Sequence, residues 1–185
     1  TSGKIMTALV NGVNARSSGL STIPPEHMHE ATWFLQDALM FVGGGSASTA
    51  GGIKVTTFAV LLLAILAEAR GDQDIEAFGR RITPSTVRLS VAVAFIGSSI
   101  IGFATLLLLQ MTNLSLDRIL FEVISAFATV GLSTGITPSL PDGAKYVIVA
   151  LMFVGRVGTM TAASALALRE RRRVIRMPEA SPMIG

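Results

Sequence analysis

The chain has 185 residues, half of them apolar and 15% charged, with a formal net charge of +3 and a mean hydropathy of +0.61. So low a charged fraction sets it apart from soluble globular domains, in which about a quarter of the residues are charged, and makes the bilayer the expected solvent. The absence of cysteine excludes disulfides and thiolate metal sites.

From the N-terminus, Lys4–Ala15 reads KIMTALVNGVNA and is followed by RSSGLSTI at Arg16–Ile23. GLST at Gly19–Thr22 returns at Gly131–Thr134, 112 residues later. ALMFVG at Ala38–Gly43 returns at Ala150–Gly155 with the same offset, followed by the pairs Thr49/Thr161 and Ala50/Ala162. Two separate blocks at one constant separation are the signature of a duplicated unit, and the period is too long for a solenoid. The offset predicts that Lys4–Ala15 is a short helix and RSSGLSTI its return strand, because their counterparts further on are better marked.

Ala31–Ala67 is one membrane-directed run of 37 residues, well beyond the roughly 20 that a straight span needs. GGGSASTAGG interrupts it, and glycine costs a helix about 1 kcal/mol per residue relative to alanine. Two half-helices are therefore predicted, joined within the membrane by Gly43, Gly44, Gly45, Ser46, Ala47, Ser48, Thr49, Ala50, Gly51 and Gly52. Such interruptions point to a transport site or gate. A phosphate-binding loop is excluded by spacing, since Ile53 separates Gly52 from Lys54 and Val55 follows where a hydroxyl is required. Just before the run, His27 and His29 lie beside Glu26 and Glu30 with no third metal ligand nearby, and read as a solvated outer loop. Asp37 is expected to snorkel or cap near the outer end of the broken helix, and Lys54 to mark a helix end.

Glu68–Arg88 mixes Arg70, Arg80, Arg81 and Arg88 with acidic residues and is expected to be a cytoplasmic linker. Val87–Gln110 carries one charge, Arg88 at its edge, and is long enough to cross the bilayer. At the 112-residue offset this span maps to positions before residue 1. The first copy is thus expected to lack its leading helix, and the chain to be the C-terminal part of a longer protein.

Asn113–Lys145 opens on the capping residues Asn113, Ser115 and Asp117 and continues as RILFEVISAFA. That stretch, about 12 residues or 18 Å at helical rise, reaches only half-way across a bilayer. TVGLSTG, Pro138, Pro141 and Gly143 then turn the chain, so a short helix with an extended, glycine-bearing return is predicted. Irregular backbone at that depth is tolerated only where it is buried in protein or lines a wet cavity, and inward-pointing carbonyls can replace the hydration shell of a cation. Two return strands supply only part of a ring. Glu122 either adds negative potential near the ion path or anchors the return strand.

Tyr146–Leu168 reads as the last span, with Arg156 at its centre in the place that Gly44 holds in the first copy. An arginine there costs on the order of 3 kcal/mol and must face the protein interior or water. It either partners a carboxylate or helix carbonyls, or repels and gates cations. Arg169, Arg171, Arg172, Arg173 and Arg176 follow as a basic tail, which keeps the C-terminus cytoplasmic and can contact anionic lipid. The fold class expected is an all-α membrane protein of helix/pore-loop/helix pseudo-repeats, with a broken helix and re-entrant pore loops.

NARSSGLSTI, MFVGGGSASTAGGIKVTTFAVLLL, SAFATVGLSTGI, MFVGRVGTMT and the terminal MPEASPMIG together resemble the Trk/Ktr/HKT superfamily of potassium transporters, specifically the bacterial Trk/Ktr membrane subunit. The likeness covers essentially the whole chain. It implies four repeats around one pore, of which residues 1–67 are similar to the third without its first helix and 87–168 to the complete fourth, with a linker at 68–86 and a cytoplasmic tail at 169–185. It also implies that Ser17, Ser18 and Gly19, and likewise Thr129, Val130 and Gly131, belong to filter strands whose carbonyls coordinate K⁺. GGGSASTAGGIK would be the gating loop below the filter, with Arg156 projecting toward it. TVGL resembles the TVGYG loop of potassium channels but lacks its tyrosine and second glycine, so weaker or differently tuned selectivity is expected. K⁺ is then the transported ion and no cofactor is bound. The implied partners are membrane lipid, a second copy and a cytosolic nucleotide-binding regulatory subunit that the basic tail could contact; no nucleic acid is expected.

The function expected is gated potassium uptake at the cell membrane. A Na⁺-permeable or Na⁺/K⁺ cotransporting relative is not separated from it, because two filter strands are missing. A non-conducting membrane subunit is the alternative of a different class. No nucleophile, base and acid constellation suggests an enzyme.

Overall fold

A computed structural model describes residues 2–16, 19–21, 23–45, 51–72, 74–77 and 79–158. Among these, helices dominate. The first copy contains α1 (Ser2–Asn14), a 3₁₀ turn at Pro25–His27, α2 (Glu30–Phe41) and α3 (Val55–Arg70). The second contains α4 (Pro84–Met111), α5 (Leu116–Phe127), a 3₁₀ turn at Thr137–Ser139, α6 (Asp142–Phe153) and a π-helical turn at Val154–Gly158. The linker holds a small antiparallel hairpin, β1 (Glu76–Ala77) and β2 (Arg80–Arg81), which sequence patterning does not anticipate.

The duplication extends to the boundaries. Both ends of α2 and α6 differ by 112, as do both ends of the two 3₁₀ turns, and α1 and α5 overlap at the same offset. Each of the longer elements has a local cause. Pro84 occupies the first turn of α4, where its missing N–H costs nothing, and Gly71 ends α3 in the left-handed region (φ 75°) with Asp72 N–H reaching Ala67 O at 3.0 Å.

α4, with 28 residues, is about 42 Å long. Its hydroxyls bond back along the helix: Ser98 to Ala94 O, Ser99 to Phe95 O, Thr105 to Ile101 O and Thr112 to Leu108 O. An apolar helix can carry these residues because none of the four hydroxyls needs water. Only 28% of its most apolar window is covered by protein, and Phe95 and Phe103 stand exposed. With Phe34, Tyr146 and Phe153 likewise exposed, the outer surface suits hydrocarbon better than water.

The core is built around α5. Phe121 to Ala128 are all buried, and α2, α4 and α6 pack around this short helix. Trp33 on α2 joins the two copies: its ring lies 6.5 Å from that of Phe121, tilted by 54°, while its Nε1–H donates to Pro25 O at 2.8 Å. On α4, Gly97 lies against Ile53 and Phe127, each with an atom 3.5 Å from where a Cβ would stand.

Candidate functional site: the turn after α5 and the glycine segment beneath it

The chain leaves α5 through a Schellman turn. Ala128 caps the helix, Thr129 N–H donates to Ala126 O at 3.1 Å and Val130 N–H donates to Ser125 O at 3.0 Å. In this motif the residue after the cap adopts the left-handed region and is ordinarily glycine. Here it is Thr129, with φ 53°, which is the one positive φ outside glycine among the described residues. A Cβ in that region costs roughly 1–2 kcal/mol, and a β-branched residue is a clear outlier. Gly131 follows at φ 91°.

Beyond Gly131 the return segment is tied to α5 by side chains. Ser125 Oγ donates to Leu132 O at 2.6 Å. The buried Glu122 accepts from Ser133 Oγ at 2.8 Å, from Thr137 Oγ1, and from Thr134 N–H at 3.3 Å. Glu122 therefore anchors the return segment. The carbonyls of Thr129, Val130 and Gly131, by contrast, accept no hydrogen bond from a described residue. Gly19 of the first copy, at φ 63°, lies directly against this backbone: a Cβ there would stand 2.9 Å from Val130 O and 3.5 Å from Gly131 Cα. Ser17 and Ser18 lie outside the described residues.

The glycine segment begins where α2 ends. Val42 and Ile53 form a parallel bridge, Gly43 N–H donates to Ile53 O at 2.9 Å and Val55 N–H donates to Gly44 O at 3.2 Å. Because the pairing is parallel, the chain runs in the same local direction where it leaves α2 and where it enters α3. Gly44 is half-buried and Gly45 exposed, while Ser46, Ala47, Ser48, Thr49 and Ala50 lie outside the described residues. Lys54 caps α3.

The returning end of the segment packs under the Schellman turn. Gly51 N–H donates to Thr129 Oγ1 at 3.0 Å. A Cβ on Gly51 would stand 2.8 Å from that oxygen, 2.9 Å from Thr129 Cγ2 and 3.1 Å from Gly155 O. Gly52, at φ 72°, has Ala128 Cα and Cβ at 3.2 Å from its Cβ position, and a Cβ on Gly43 would meet Gly51 O at 2.7 Å. A Cβ on Gly155 would run into the Phe127 carbonyl. Glycine is required at Gly43 and Gly155 by backbone carbonyls, at Gly51 mainly by the Thr129 side chain and at Gly52 by its left-handed backbone, and this close packing brings the two interrupted helices together at the end of α5.

Arg156 follows Gly155 in the π-helical turn, exposed, and close enough to Lys54 for the two charges to act on each other. A π turn widens the helix where it occurs and often marks a functional position. α6 thus departs from regular helix at Val154 within the expected last span, and 159–185, including the rest of that span and the basic tail, lie outside the described residues.

One other position differs from expectation. Asp37 does not snorkel: it is 7% exposed on the face of α2 that carries Trp33, Gln36 and Met40, and its Oδ1 has no hydrogen-bond partner among the described residues. The i, i+3, i+4, i+7 spacing of these four was the available signal. His29 caps α2, its Nδ1 accepting from Ala31 N–H at 3.3 Å.

Comparison with known proteins defines the class first. Residues 1–173 match the TrkH family, described as cation transport protein, and the chain belongs to this family of membrane transporters. Within it, the chain is 35% identical to Ktr system potassium uptake protein B of Vibrio alginolyticus over 185 residues, which is all of this chain and 40% of that protein. It is 37% identical to Ktr system potassium uptake protein D of Bacillus subtilis, over 98% of this chain and 40% of the relative. It is 38% identical to Potassium/sodium uptake protein NtpJ of Enterococcus hirae, over 94% of this chain and 40% of the relative. The chain therefore spans about 40% of the length of these curated relatives.

Proposed function

We propose that this chain supplies two of the filter strands and the gate of a potassium uptake transporter in the cell membrane. Ions pass the carbonyls of Thr129, Val130 and Gly131 and their counterparts at Ser17, Ser18 and Gly19. The observation that carries this reading is the contrast along the second return segment. Leu132 O and the backbone N–H groups of Val130 and Thr134 are bonded inward to α5, yet the three preceding carbonyls accept nothing from a described residue, and the backbone of Val130 and Gly131 lies against Gly19. Carbonyls left unpaired at membrane depth are tolerable where they face an ion or water.

The segment Gly43–Gly52 and Arg156 act as the gate. The close packing of Gly51 and Gly52 under Thr129 and Ala128 supports that role, because anything bulkier than glycine would displace the floor of the filter. The chain is multi-pass, and the arginines after residue 168 hold its C-terminus in the cytoplasm. It works as a dimer with a cytosolic nucleotide-binding regulator, as the names of the Ktr system relatives suggest a multi-component system. A second reading, in which Na⁺ is also carried, is favoured by the printed name of the Enterococcus relative and by the departure of TVGL from a full channel filter.

The test is growth. Expressed within its full-length chain in cells lacking potassium uptake, the protein restores growth at limiting K⁺, and the purified protein moves Rb⁺ into liposomes. Deletion of Ser46–Ala50 raises that flux in the absence of regulator. No rescue together with no Rb⁺ or Na⁺ flux would sink the transport reading; flux driven equally by Na⁺ would select the second reading.

A further inference from the structure

We infer that Thr129 is a positioning residue whose side chain serves the filter as well as its backbone, by coupling the first turn of the ion path to the glycine segment of the other copy. The inference rests on the transport reading above and adds a role that backbone carbonyls alone do not require.

The sequence position is the first clue. The Schellman geometry at the end of α5 calls for glycine where Thr129 stands, and the chain uses glycine for every other positive φ among the described residues. Threonine is among the residues least suited to the left-handed region, since its branched Cβ crowds the backbone. Something must offset that strain, and the hydroxyl does so: Oγ1 accepts the Gly51 N–H at 3.0 Å across 78 residues of sequence. The contact is close on both sides. Gly51 has no space for a Cβ against Thr129 Oγ1, Thr129 Cγ2 and Gly155 O, and Gly52 has almost none against Ala128. Gly51 therefore cannot shift toward the filter turn, and cannot shift away without breaking the bond. Movement of one is transmitted to the other, so the carbonyls of Thr129 to Gly131, which accept nothing from a described residue, hold their geometry only while Gly51 is in place.

Three variants of the full-length chain separate this from simple tolerance of a strained residue. Thr129→Val keeps the branched shape and loses the acceptor. Thr129→Gly relieves the left-handed strain and also loses the acceptor. Thr129→Ser keeps the hydroxyl. Hydrogen exchange of detergent-purified protein, read on peptides containing Gly51 and Gly52, should speed up about fivefold in the Val and Gly variants, the size expected for one net hydrogen bond. The Ser variant should exchange at the wild-type rate. In liposomes, the Val and Gly variants should lose about fivefold of their discrimination between K⁺ and Na⁺, even though Gly makes the turn less strained. Wild-type exchange in both Val and Gly variants would overturn the coupling, as would a Gly variant that keeps full discrimination. A wild-type protein that moves no cation would instead overturn the transport reading, with the exchange result still deciding whether the bond holds Gly51.

Discussion

The two copies keep step from α1 and α5 through to Val42–Gly43 and Val154–Gly155, and there they part. Both α2 and α6 end on phenylalanine followed by valine and glycine. In the first copy the helix stops, Gly43 and Gly44 pair with Ile53 and Val55, and a new helix begins at Val55; in the second the chain widens into a π turn that carries Arg156. The two outcomes meet in space, because Gly51 of the loop and Gly155 of the π turn both press against the end of α5. A second difference lies on the short helices. Glu122 and Ser125 clamp the second return segment, whereas their counterparts at the 112-residue offset are Val10 and Val13, which can clamp nothing. Among the described residues, the second copy's return segment is thus braced by Glu122 and Ser125, and the first copy breaks its helix where the second widens into a π turn.

The comparison can be broken most severely at its glycines. Gly155→Ala drives a methyl group into the Phe127 carbonyl at the core of the site, and it should cost about 3 kcal/mol or more. Gly43→Ala, its counterpart, meets the carbonyl of Gly51 less closely, and should cost about 1 kcal/mol. Thermal unfolding in detergent compares the two, and equal losses would mean that the two positions are equally tightly packed. Next comes Glu122→Gln, which removes the charge from a carboxylate accepting three hydrogen bonds. A loss of about 2 kcal/mol is expected by the same measurement, with Val10→Ala far less costly; a neutral Glu122→Gln would show that the return segment does not depend on its brace.

Arg156→Gly makes the second copy resemble the first at the point of divergence. Removing the charge should raise Rb⁺ flux without regulator about tenfold, equivalent to about 1.4 kcal/mol of barrier. Unchanged flux would assign Arg156 to packing alone. The smallest effect is expected far from the site. Asp74→Asn breaks an ion pair of 2.6 Å with Arg81 whose partners are 41% and 61% exposed, and it should change stability by less than 1 kcal/mol. A larger loss would show that the linker hairpin is part of the folded core.

Much of the architecture is legible in the sequence. Hydropathy and length mark α4, the glycine run marks the break between α2 and α3, and the repeated GLST and ALMFVG blocks carry α5 back onto α1. What escapes sequence reasoning is of two kinds. The hairpin at Glu76–Arg81 has strands too short to show a period. The place of Asp37 near a helix end suggests snorkelling or capping, whereas its spacing from Trp33 and Met40 puts it on the buried face. For Glu122, patterning offered two roles, and only the positions of Ser133, Thr134 and Thr137 chose between them.

The sequence by itself determined the solvent, the duplicated unit and the place where the copies diverge, because these follow from composition, from identity at a constant offset and from local helix propensity. Only the tertiary structure decided that Thr129 takes a glycine's conformation, that its hydroxyl meets Gly51, and that Gly51, Gly52 and Gly155 are held to glycine at the end of α5 while Gly43 is held by Gly51. Those facts depend on which backbones approach within van der Waals contact after packing. Residues 78 apart carry no local trace of the bond that joins them.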